Sequence, residues 1–132
     1  MTEQDIARMD TGEVVTYEPA NPVELEFMIR ELGERIERAV GVIDALQRGR
    51  YDAEAEYSSA LETAKLSSRR DTYSDRRSEA ILACLPKFRE MNEAKAKLHH
   101  AENLQDALAK RLSGLQTIAK TLATAYNASG RN

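Results

Sequence analysis

Arg69, Arg70, Tyr73, Arg76 and Arg77 crowd into the polar stretch 67–78 (SSRRDTYSDRRS), and Lys65 stands just before it. Guanidinium groups match phosphate oxygens in a two-pronged geometry, and an aromatic ring among cations offers a base a surface to stack on. Lys65, Arg69, Arg70, Tyr73, Arg76 and Arg77 are therefore the expected contacts for single-stranded nucleic acid. Three or four phosphate contacts would give log affinity against log salt a slope of roughly −2 to −3. Asp71 and Asp75 lie among these cations and oppose the contact. A solvated hairpin tip accounts for the same composition without any ligand.

Other residue types capable of chemistry are poorly placed for it. His99 and His100 are adjacent, so on a helix they point about 100° apart, and with Glu93 and Glu102 they do not form a metal-ligand spacing such as HExxH. Cys84 is the sole cysteine and has no neighbouring histidine to activate it, which makes it a small apolar residue and excludes a disulfide within the chain. No nucleophile elbow, phosphate-binding loop or dinucleotide fingerprint occurs. Glu31, Glu34, Glu37, Glu90 and Glu93 follow the spacing of an exposed charged helix face. The expectation is a protein without catalytic, metal or cofactor-binding residues, hence not an enzyme and without a small-molecule substrate.

The elements that must hold the basic stretch are helices. Apolar residues make up 42% and charged residues 31%, with 5% aromatic and no tryptophan, a balance that favours long helices over strands. No apolar run reaches the roughly 18 residues that a membrane span needs, and the first residues are acidic instead of basic. No membrane association and a cytoplasmic location are expected, the host cytoplasm for a phage-encoded chain.

Residues 1–21 contain Gly12, Pro19, five acids and one base, and show no sustained period. They are expected to be a flexible acidic tail, in which 13–17 (EVVTY) can extend against a partner. Asn21-Pro22 with Glu24 three residues after Asn21 is a capping box, so a helix is expected over about 22–68. Leu25, Met28, Leu32, Ile36, Val40, Ile43 and Leu46 recur at steps of three and four along it. Gly33, Gly41 and Gly49 interrupt this helix, either for close approach of a neighbour or as tolerated weak points. A turn over about 69–74 and a second capping box, Thr72 with Asp75, lead to a helix over about 75–126. Its apolar series runs from Ile81 to Leu122, with a kink or short break expected near Pro86, and the final NASGRN reads as a frayed end.

Folding back at residues 70–73 sets Met28 against Leu115, Leu32 against Leu112, Ile36 against Leu108, Val40 against Leu104, Ile43 against Ala101 and Leu46 against Leu98. The same register brings the acidic start of the first helix beside the base-only stretch 107–132, which carries Lys110, Arg111, Lys120 and Arg131. These coincidences predict an all-α chain built as a long two-helix antiparallel coiled-coil hairpin, each helix about 70–80 Å long at 1.5 Å per residue. Near the turn the second helix offers Leu82, Leu85, Phe88 and Met91 against a thinner first helix. That excess is expected to be a protein interface, for a homo-oligomer or a larger protein partner.

The Ala/Tyr-rich stretch 51–65, the turn entering Arg76-Arg77-Ser78-Glu79-Ala80, and the leucine-spaced ending 108–118 with Leu115-Gln116 resemble a loose group of small phage and prophage helical-hairpin proteins encoded among replication and recombination genes. The likeness covers most of residues 22–122. It implies an accessory role in DNA metabolism and carries over no functional residue. Three roles stay open at this point: an oligomeric scaffold in DNA replication or recombination; a structural or assembly adaptor, or chaperone, binding a protein through its apolar seam; and an inhibitor of a host protein whose acidic tail mimics DNA charge.

Overall fold

A computed structural model describes residues 4–7, 14–17 and 21–130. Two short strands, β1 (Gln4–Ala7) and β2 (Val14–Tyr17), pair antiparallel with Ile6 opposite Val15 and Gln4 opposite Tyr17. The flexible tail expected over 1–21 thus contains a paired ribbon, and Val14–Tyr17 of the expected 13–17 stretch finds a partner strand within the chain. Residues 1–3, 8–13 and 18–20 of that expected tail lie outside the described residues.

Among the described residues from Asn21 to Gly130 the regular structure is helical, in α1 (Pro22–Ser67), α2 (Tyr73–Ala83) and α3 (Leu85–Gly130). The start of α1 is the capping arrangement its residues predict. Asn21 Oδ1 accepts from the Glu24 N–H at 2.9 Å, the Asn21 carbonyl accepts from Leu25 N–H at 3.1 Å, and Pro22 fills the first turn, where a missing N–H costs nothing. Thr72, in extended conformation, caps α2 by accepting from Asp75 N–H at 3.1 Å.

A single second helix over 75–126 is corrected to two helices separated at Cys84. The Cys84 N–H is shared between the Ala80 and Ile81 carbonyls at 3.0 and 3.2 Å, while the Cys84 carbonyl already accepts from Phe88. Pro86 has no N–H for the Leu82 carbonyl, so an unbroken ladder cannot pass this point. It is tolerated in the first turn of α3. The helical pair starts again two residues earlier than expected, at Tyr73, and α3 continues through the anticipated frayed end to Gly130. No proline lies between Asn127 and Gly130, and nothing there forbids the last turn.

The chain divides into two compact units, one of residues 1–41 with 102–132 and the other of residues 42–101. In the first, Leu25, Met28, Leu32, Leu108 and Leu115 form a buried cluster, with Ile29, Ile36, Leu112, Ile118 and Ala119 against it. Gln105 Nε2 donates to the Ile36 carbonyl across the seam at 2.8 Å. Leu25 and Ala119 border one groove, and Gln105 meets Ile36 further along, so the two segments run antiparallel. Val40, expected in this seam, is 61% exposed, and Ala39 is buried in its place. The helix has 3.6 residues per turn, so a strict step of four from Ile36 overshoots the stripe where a small residue already closes it.

In the second unit Ala80, Cys84, Met91 and Leu98 are buried. The Tyr57 and Phe88 rings lie 5.4 Å apart at 55°, a tilted aromatic pair. Lys87 reaches Glu56 at 3.2 Å and Glu90 at 3.4 Å, and Lys95 reaches Glu54 at 3.6 Å. Partners fall along one segment as they rise along the other, again an antiparallel pairing. A Cβ added at Gly33, Gly41 or Gly49 would meet nothing within 4 Å, so these glycines do not serve close helix approach.

Candidate nucleic-acid interface

The basic stretch joins the end of α1 to the start of α2, all within the unit of residues 42–101. The α1 helix stops at Ser67 with a tightened last turn, Ser68 N–H to the Lys65 carbonyl at 3.4 Å. Five residues later the Thr72 cap starts α2, which places Tyr73 in its first turn with the side chain 69% exposed. The Lys65 ammonium sits 6.0 Å from the Tyr73 ring centroid, at the outer limit of a cation–π contact, and also pairs with Glu62 at 3.0 Å.

The arginines separate into two kinds. Arg70 Nε donates to Glu79 at 2.9 Å, and Ser68 Oγ donates to the same carboxylate oxygen at 3.2 Å. Arg76 Nε donates to the Arg70 carbonyl at 2.6 Å, pinning the start of α2 to the turn. These two side chains brace the turn and hold their outer guanidinium nitrogens in fixed places. Arg69 and Arg77 are exposed and bind neither of these bracing partners. The structure therefore gathers all six expected residues around one turn, with Arg69, Arg77 and the Tyr73 ring as its open elements.

Local charge is nearly balanced. Lys65, Arg69, Arg70, Arg76 and Arg77 face Glu62, Asp71, Asp75 and Glu79, five cations against four carboxylates. Glu79 was not singled out by sequence reasoning, because its role depends on the turn bringing it back to Arg70 nine positions earlier. Surface pairs of this kind contribute about 0–1 kcal/mol each, so they reduce the potential more than they fix the fold.

The four residues expected as a protein interface have different surroundings. Leu82 is 68% exposed, Leu85 is half-buried, Phe88 covers the Tyr57 ring, and Met91 is buried within its own unit. Leu66, at the end of α1, adds a further exposed side chain that sequence reasoning passed over. His99 and His100 are both exposed, and Cys84 is buried. Among the described residues there is no cluster of three or more potential metal ligands, and no helix long and apolar enough to cross a membrane. No family model, curated protein or solved structure matches the chain.

Proposed function

We propose that the chain is a non-enzymatic, phage-type accessory protein that works in the cytoplasm as an oligomeric helical scaffold in DNA replication or recombination. Coiled-coil packing within each unit supplies the scaffold, and the turn contacts single-stranded nucleic acid. The observation that carries the reading is the exposed Tyr73 ring, flanked in the sequence by the Arg69-Arg70 and Arg76-Arg77 pairs, of which Arg69 and Arg77 are exposed and take no part in bracing the turn. Two braced arginines lower the number of free phosphate contacts to about two, so the expected slope of log affinity against log salt falls to about −1 to −2. Tyr73→Ala removes a stacking surface and should cost about 1–3 kcal/mol of binding while leaving that slope nearly unchanged. Fluorescence anisotropy of the full chain with a labelled single-stranded oligonucleotide at low salt tests this. Absence of binding removes the nucleic-acid role.

A second reading, an assembly adaptor or chaperone that binds another protein, is favoured by a specific observation: Leu66 and Leu82 are large apolar side chains left mostly exposed in the same unit. Light scattering separates self-association from a foreign partner. A mass of 14.8 kDa at every concentration would exclude the oligomeric scaffold and favour the adaptor.

A further inference from the structure

Arg70 differs from Arg69 and Arg77 in having its charge matched by a carboxylate. From α2, Glu79 reaches back to the turn, where its Oε2 accepts from Arg70 Nε at 2.9 Å and from Ser68 Oγ at 3.2 Å. The same Ser68 Oγ accepts from the Arg70 N–H at 3.3 Å, which ties the two donors together. One anionic oxygen thus gathers a guanidinium and a hydroxyl, the donor types that nucleic-acid phosphates take from proteins. Glu79 stands where a phosphate oxygen would stand.

The shape of the turn does not depend on this pair. Both side chains are open to water, Arg70 at 66% and Glu79 at 48%, and a pair so exposed contributes little to stability after side-chain entropy and solvent screening. Two contacts that do not involve the Glu79 carboxylate hold the backbone. Arg76 Nε donates to the Arg70 carbonyl at 2.6 Å, and Thr72 Oγ1 accepts from the Asp75 N–H at 3.1 Å. They keep residue 70 beside the start of α2 when its side chain is released, so a freed Arg70 stays next to Arg69 and the exposed Tyr73 ring.

We propose that Glu79 is an internal competitor for nucleic-acid phosphate: its carboxylate occupies the Arg70 and Ser68 donors, withholds them from the ligand, and so sets the affinity and salt dependence of the turn. The inference rests on the nucleic-acid reading of this turn. It assigns to Glu79 a role opposite to that of Arg69 and Arg77, and it makes Arg70 a third phosphate contact held in reserve.

The test measures binding of one labelled single-stranded oligonucleotide to the full chain and its variants by fluorescence anisotropy across a salt series. Glu79→Gln keeps the shape of the side chain and loses its charge. It should bind about three- to fivefold more tightly at low salt, with a log–log slope steeper by about 0.7 for one further phosphate, and with helical circular dichroism unchanged. Asp71→Asn removes an equal charge from the same turn without releasing Arg70, so it should gain less and keep the parent's slope. The double variant Arg70→Gln, Glu79→Gln has the parent's net charge and should also keep the parent's slope. Binding by the parent with affinity and slope unchanged in Glu79→Gln would overturn the competitor role and leave the reading of the turn standing. A steeper slope that persists in the double variant would overturn it too, by assigning the effect to a cation other than Arg70. Absence of binding by every form at low salt would overturn the reading of the turn and this inference with it.

Discussion

The unit of residues 22–41 and 102–130 buries four leucines together with Met28 and Ala39, whereas residues 42–101 bury one alanine, one cysteine, one methionine and one leucine and add ion pairs across the seam. Leu25, Leu32, Leu108 and Leu115 are at most 2% exposed in the first. Each such side chain contributes about 1.5–3 kcal/mol on burial. In the second, Ala80 and Cys84 remove far less apolar surface from water, and the pairs of Lys87 and Lys95 are close to half exposed. Exposed pairs of that type contribute little after side-chain entropy and screening by water. Stability is thus concentrated in one unit and the charged turn belongs to the other. Local opening is therefore expected to cost less over residues 42–101.

The largest expected effect tests that contrast directly. Leu115→Ala or Leu108→Ala should cost about 3–5 kcal/mol, since each leaves a cavity among leucines that cannot collapse. Met91→Ala should cost about 2–3 kcal/mol, because a flexible side chain is lost from a looser seam. Chemical denaturation followed by circular dichroism gives both values, and native-state hydrogen exchange should show lower protection over 42–101. Equal costs for Met91 and Leu115, with uniform protection, would remove the contrast.

A smaller effect sits at Tyr57 and Phe88. Their tilted ring pair should show a coupling of about 0.5–1.5 kcal/mol in a double-mutant cycle with leucine at each position. A coupling near zero would leave the second unit held by helix propensity and small-residue packing alone. The glycines sharpen the comparison from the other side. Gly33→Ala, Gly41→Ala and Gly49→Ala meet open space and should each stabilise by about 0.5–1 kcal/mol. Only Gly49→Ala lies in the second unit, so it alone should raise exchange protection there selectively.

Local signals are legible in the sequence. The caps at Asn21 and Thr72 and the interruption near Pro86 depend on backbone donors and acceptors within four residues, and the residue types there announce them. The leucine cluster was readable for a similar reason, because large side chains recurring at three and four mark a stripe. Ala39 was missed in favour of Val40, since a small residue in a seam is recognised only once the partner helix is in place. The β1–β2 pairing was missed because Gln4–Ala7 has few strand-forming residues and its partner is supplied by Val14–Tyr17 at a distance along the chain. At the candidate site the six expected residues do gather, but which arginines stay open was not legible. Glu79 and the Arg70 carbonyl decide that, through contacts made only after the chain turns.

The smallest expected effect concerns the latch that the second unit uses in place of a leucine. Lys87 lies between Glu56 across the seam and Glu90 on its own helix, and its hydrogen bond to Glu56, then that to Glu90, then the two carboxylate charges raise its pKa above the usual lysine value. A raised folded-state value means that the folded protein holds this proton more tightly than the unfolded chain does. The resulting stabilisation is fully present below the unfolded-state pKa of about 10.4 and is lost as pH rises through the folded value. Lys87→Met keeps the aliphatic stem and removes the charge, so its stability should lie slightly below the parent's from pH 7 to about 10, and the two should converge only as pH rises through the raised folded value of Lys87. Every group other than Lys87 is common to both proteins and cancels in the difference. Salt should shrink the gap at pH 8, because the pair is open to solvent. A gap that persists undiminished at high pH and high salt would show that Lys87 acts through the packing of its stem, and would make the second seam apolar in character after all.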